Sequence, residues 1–195
     1  MNAYSGKLFS VLGDSISTYE GYTLAAAVFY EPCFQKITGV TSVNDTWWMQ
    51  VINGLGGILG TNNSYSGSTV YGTRPTAGCS DHRTSALSQN GTPDVILVNL
   101  GGNDWGFSVP RKNFTKAYRQ MLSKLTTLYP SAEIWCATLL QGRQVNHDIP
   151  PFFNVEGCNP ISTYNTIICK EATAAGCHVA TLGEEPYPAV DGVHP

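Results

Sequence analysis

Residues 8–19 read Leu-Phe-Ser-Val-Leu-Gly-Asp-Ser-Ile-Ser-Thr-Tyr. Leu8 to Leu12 is an apolar run interrupted only by Ser10, the pattern of a parallel strand covered on both faces, and it is expected at the centre of its sheet. Gly13 permits a tight exit from that strand. Asp14-Ser15 then sets a hydroxyl at the strand's carboxyl end, where open α/β sheets build their sites. Ser15 is therefore a candidate nucleophile. In isolation, Gly-Asp-Ser reads as a turn followed by a helix N-cap. The residues that favour chemistry lie further along the chain.

Outward from this stretch, Thr18 to Asp45 lacks a sustained period and is expected to be an ordered loop with one helical turn, walling a pocket beside Ser15. Asp45 or Thr46 can cap a helix whose Trp47, Trp48, Val51, Ile52 and Leu55 recur at three and four spacing before Gly56-Gly57. Ile58 to Tyr65 is a weak second strand that delivers Ser66-Gly67-Ser68. Thr84 to Gln89 is at most a short helix. Asp94 to Leu100 is the clearest strand, a β-branched run ended by Gly101-Gly102. Asn113 to Tyr129 carries one apolar stripe and reads as a helix stopped by Pro130. Ala132 to Leu140 is a fourth strand, and Gln141 to Pro160 a long loop holding Arg143, His147 and Phe152-Phe153. Ile161 to Ala175 is helical, and Cys177 to Leu182 a fifth strand. Strands alternating with helices predict one α/β domain, a three-layer sandwich of about five parallel strands.

Composition narrows the function. With 195 residues, 42% apolar and 13% charged, the chain suits one well-buried domain. A net charge of −3 without a Lys/Arg run argues against nucleic acid as a partner, and no stretch is suited to a bilayer. A small neutral substrate fits better. The six cysteines show no Cys-x-x-Cys spacing. Together with a start that lacks signal-peptide character, they point to free thiols in a cytoplasmic protein; a secreted protein with its signal removed would read the same.

Parallel topology gathers four strand ends at one rim, carrying Gly13-Asp14-Ser15, Gly67, Gly101-Gly102-Asn103-Asp104 and Asp191-Gly192-Val193-His194. A serine hydroxyl attacks poorly until a neutral imidazole takes its proton, and that imidazole needs a carboxylate to fix its tautomer. His194 and Asp191 can supply both from one turn. The tetrahedral intermediate also needs donors, and the Ser15 and Gly67 amides with the Asn103 side chain could provide them. Glycine at position 67 is expected to let the backbone approach closely.

This set resembles the SGNH hydrolases, or GDSL esterase/lipase family. The first block is matched by Gly13-Asp14-Ser15, the second by Gly67, the Gly-x-Asn-Asp block by Gly101 to Asp104, and the Asp-x-x-His block by Asp191 to His194, in the family's order. The resemblance implies a flavodoxin-like α/β/α fold, Ser15 as nucleophile, His194 as base, Asp191 as its partner, and Ser15, Gly67 and Asn103 as the oxyanion hole. The first block reads Gly-Asp-Ser-Ile-Ser, without the leucine of the motif's older name. Family members normally continue past the histidine with a helix covering the sheet. The sequence given stops at Pro195, so the expectation is either a truncation, whose uncovered apolar patch would favour self-association, or another element covering that face.

The reading is a serine esterase removing a short acyl group, acetyl in type, from an alcohol, with a carbohydrate as one candidate for that alcohol and with no cofactor. Trp105 and Phe107 are candidate pocket residues, with Tyr19, Tyr71 and Arg143 behind them. No metal is expected, since His82, His147 and His178 lack a second ligand at zinc spacing. Asp14 is expected to order its loop by hydrogen bonding, and Asp104 to act as an N-cap. The alternative is a non-catalytic module holding a nucleotide, phosphate or sugar on the same loops, although Asp14 argues against an anion there.

Overall fold

The computed structural model describes residues 2–24, 26–140, 142–144, 159–183, 187–189 and 194. Strands β1 (Leu8–Gly13), β2 (Ile58–Asn62), β3 (Val95–Asn99), β4 (Glu133–Ala137) and β6 (His178–Ala180) form one sheet in the order β2-β1-β3-β4-β6. All its neighbours run parallel, with Phe9 opposite Val95 and Gly13 opposite Asn99. A separate two-stranded ribbon pairs β5 (Gly142–Gln144) with β7 (Tyr187–Ala189), which the sequence did not foretell.

The sheet's centre is β3, not β1 as the sequence suggested. Only β2 lies beyond β1, whereas two strands lie on each side of β3, and Ser10 sits on the side of β1 that faces β2 and Leu87. Its hydroxyl donates to Leu87 O at 2.8 Å and accepts from Thr61 N at 3.2 Å. A polar position inside the run is thereby satisfied beside edge strand β2, whereas Val95-Ile96-Leu97-Val98 of β3 is buried without a polar break.

Side chains alternate across the sheet with the period of two that strands impose. On one face Leu12, Ile96, Val98 and Cys136 pack against α5 (Arg111–Leu128) and α6 (Ile161–Ala174). On the other, Phe9, Val11, Val95 and Leu97 meet Trp48, Met49 and Ile52 of α2 (Trp47–Leu55), with Tyr19 and Tyr30 from the preceding loop. The Thr46 hydroxyl caps α2 at Met49 N, and Gly56 ends it in the left-handed region, at φ 69°. An apolar groove of about 620 Å³ lies beside α2 on this second face, lined by Phe9, Trp47, Val51, Leu97 and Trp135 among others.

Three elements differ from expectation. The segment before α2 holds a full helix, α1 (Pro32–Thr38), none of whose residues is buried. Helix α3 (Asp81–Ser85) begins earlier than the short helix predicted from Thr84. A single turn, α4 (Gly102–Gly106), follows β3 directly, so Asn103 and Asp104 are helical. Residues 145–158 of the expected long loop, with His147 and Phe152-Phe153, lie outside the described residues. Among the described residues no helix is long and apolar enough to cross a membrane.

Candidate active site

Ser15 opens a single 3-10 turn, Ser15–Ser17, immediately after β1. The turn is possible because Gly13 has no side chain: a Cβ there would collide with the Ser17 side chain packed over it. Asp14 caps the turn, its carboxylate accepting from Ile16 N at 3.3 Å. Asp14 thus orders the loop, as expected. Ser15 is buried, 5% exposed, and His194 is 1% exposed although it comes from the far end of the sequence. The two meet: His194 Nε2 lies 2.9 Å from Ser15 Oγ. That is hydrogen-bond distance, the arrangement in which an imidazole can take a serine proton. Asp191 lies outside the described residues.

The loop after β2 comes to the same rim. Its glycine, Gly67, has φ 76°, and a Cβ at this position would have nothing within 4 Å. The left-handed backbone by itself calls for glycine at this position. Asn103, in α4, donates from Nδ2 to Ser68 O at 2.9 Å, which brings the third strand end against the Gly67 loop. Asp104 does not cap a helix. Its two carboxylate oxygens instead accept from Val70 N at 2.7 Å and Tyr71 N at 3.0 Å, holding the loop from beyond Gly67.

Arg83, which sequence reasoning missed, is the other anchor. It is buried, and its guanidinium donates to Gly13 O at 2.7 Å, Asn63 O at 3.0 Å, Ser68 Oγ at 3.0 Å and Thr76 O at 2.6 Å. One rigid fork thereby joins the end of β1 to the Gly67 loop. An arginine in a glycine-rich polar stretch gives no periodic signal, and its partners are distant in sequence. Phe29 and Thr18, in a stretch without a sustained period, were also missed. The Phe29 ring is stacked on His194, and the Thr18 hydroxyl donates to Ser15 O at 2.7 Å.

Burial dominates the electrostatics. It raises Asp14 to about 6, against the pull of the Ile16 amide, His194 and Arg83. It raises Asp104 to about 7, against the Tyr71 and Val70 amides. Desolvation likewise lowers Arg83 to about 10, with Asp14 opposing the shift.

Of the pocket candidates, Tyr71 and Phe107 are exposed, at 45% and 57%. Tyr19 and Trp105 are buried, each with its polar atom on a backbone carbonyl: Tyr19 in the core on the α2 face with its hydroxyl on Thr41 O, and Trp105 beside α5 with Nε1 on Asn159 O. Their amphipathic rings use the polar atom to complete internal packing. Arg143 lies on β5, its side chain outside the described residues.

The chain is thus a parallel α/β protein with a serine and an imidazole within hydrogen-bond distance at the carboxyl rim of its sheet. Residues 7–171 match the GDSL-like lipase/acylhydrolase family model, and the chain belongs to that family, whose activity is acyl-ester hydrolysis. No curated protein sequence matches it. Among solved structures it is similar to one from Bacteroides uniformis described as a GDSL-like lipase (28% identity, 96% of this chain and 90% of that one covered, TM-score 0.66). A Bacteroides ovatus protein described in the same words shares the fold (24% identity, coverage 96% and 92%, TM-score 0.68). So does a carbohydrate esterase family 2 enzyme with a carbohydrate-binding domain from Corynascus thermopiles (Myceliophthora fergusii), at 14% identity, coverage 100% and 62%, and TM-score 0.66.

Proposed function

We propose that the chain is a serine esterase that removes a short acyl group, acetyl in type, from an alcohol, with a carbohydrate ester as the preferred substrate class. Ser15 is the nucleophile, His194 the general base and Asp191 the carboxylate that orients it. The Ser15 and Gly67 amides and the Asn103 side chain receive the oxyanion. The observation that carries the reading is the 2.9 Å approach of His194 Nε2 to Ser15 Oγ between groups from opposite ends of the sequence. The carbohydrate preference is supported by fold relatives named as carbohydrate esterases.

In the reaction Ser15 Oγ bonds to the ester carbonyl carbon while its proton passes to His194 Nε2, and the carbonyl electron pair moves to the oxyanion. Collapse breaks the bond to the alcohol, which leaves with the proton from the imidazolium. Water then attacks the acyl-enzyme, giving its proton to His194, and the acid departs as Ser15 recovers the proton. Preorganised donors at the oxyanion lower both barriers.

Ser15→Ala should abolish hydrolysis of p-nitrophenyl acetate, and Asn103→Ala should lower kcat on the order of a hundredfold or more. Full turnover by the Ser15 variant would end the proposal. Acetylated sugars should be cleaved with higher kcat/KM than simple acetate esters. Equal rates on both would remove the carbohydrate preference and leave the esterase.

A further inference from the structure

The Phe29 ring lies over the His194 imidazole with centroids 3.5 Å apart and planes 10° from parallel. Carbon atoms make their best contact at about 3.5–4.0 Å. A centroid spacing at the bottom of that range leaves almost no sideways offset, so the rings are stacked face over face. Two neutral aromatic rings avoid this geometry, because their quadrupoles repel, and prefer an offset or an edge. A cation over a phenyl face is instead attracted to it. The contact therefore suits His194 best when it carries the extra proton.

The ring is held in that place from several sides. The Phe29 amide donates to Thr18 Oγ1 at 2.8 Å, and the same hydroxyl donates to Ser15 O at 2.7 Å. Phe34 stacks on Phe29 at 4.7 Å and 28°, and Tyr30 meets it edge-on at 5.1 Å and 84°. The backbone of the nucleophile and the ring over the base are thus joined through one threonine, closing a circuit Ser15–Thr18–Phe29–His194. An imidazole bonded through its ring nitrogens can still rock about the axis of those bonds, and a fixed face removes that freedom.

We infer that Phe29 is a positioning residue of this site, whose ring sets the plane of the His194 imidazole and stabilises the imidazolium formed as Ser15 gives up its proton. The inference rests on the proposed function, because an imidazolium arises there only if His194 is the base. The stabilisation is differential: it is greater in the tetrahedral intermediate than in the resting enzyme, so it acts on kcat rather than KM.

The test replaces Phe29 with mono-, di- and trifluorophenylalanine, which keep the shape of the ring while draining its negative face. Asp14, the carboxylate that also feels His194, is left untouched. Two rates are read, kcat on p-nitrophenyl acetate and the rate at which a fluorophosphonate labels Ser15. Both should fall stepwise with each fluorine, to a cumulative loss of roughly three- to thirtyfold at unchanged KM. Phe29→Leu should lose at least as much, and Phe29→Trp should retain the wild-type rate. A wild-type protein that labels, with a flat fluorination series and a fully active Leu variant, would overturn the inference while leaving the esterase standing. A wild-type protein that neither turns over nor labels would overturn both.

Discussion

Asp104 holds two backbone amides on a carboxylate that burial raises to about 7. Asp14, raised to about 6, is buried for a different purpose, in the turn that presents Ser15. Both are carboxyls whose folded pKa exceeds the unfolded value of 3.8. Above the unfolded value, the folded chain therefore holds protons that the unfolded chain has released. Each group should make stability fall by roughly 1 kcal/mol per pH unit as pH rises from about 4 toward its folded pKa, and leave it flat beyond. Asp104→Asn removes one of these contributions. Wild-type Tm should decline from pH 5 to pH 7.5 while the Asn variant declines less, a comparison that calorimetry at a series of pH values makes directly. Parallel slopes would mean that Asp104 stays ionised throughout, held so by its two amide donors.

At the scale of the element, the Gly67 loop is a strap held on both sides of its glycine: Arg83 grips Asn63 ahead of it, while Arg83 and Asn103 grip Ser68 and Asp104 grips Val70 and Tyr71 after it. Gly67→Ala introduces a Cβ into open space, so its cost is the left-handed backbone alone, about 1 kcal/mol by urea unfolding. A substantially larger loss would show that the loop lacks room after all. The strap was only partly legible in the sequence. Gly67 and Asn103 stood out as chemistry-bearing residue types at strand ends. Arg83 and the true role of Asp104 did not, because each acts through hydrogen bonds to distant backbone atoms, which leave no mark on local pattern. Helix α2 is the opposite case. Its apolar spacing, its Thr46 cap and the glycines after it are all local, and its limits could be read directly.

For the whole molecule, alternation of strand and helix was enough to fix five parallel strands and their faces, since burial writes itself into period-two and period-3.6 patterns. Which strand lies at the centre depended on the order in which the strands pair, with β2 alone beyond β1 and two strands beyond β3, a tertiary fact. The burial of Tyr19 and Trp105 was similarly hidden, because an aromatic ring with a polar atom suits a pocket wall and a core equally until its hydrogen-bond partner is known. What the fold achieves is to bring a hydroxyl near one end of the chain and an imidazole near the other to 2.9 Å. The most direct test of that pairing is the intact mass of the protein after exposure to a fluorophosphonate, with peptide mapping. The expected result is one adduct, on the peptide containing Ser15, that disappears in His194→Ala. Labelling of another residue, or undiminished labelling of Ser15 without His194, would contradict the pairing.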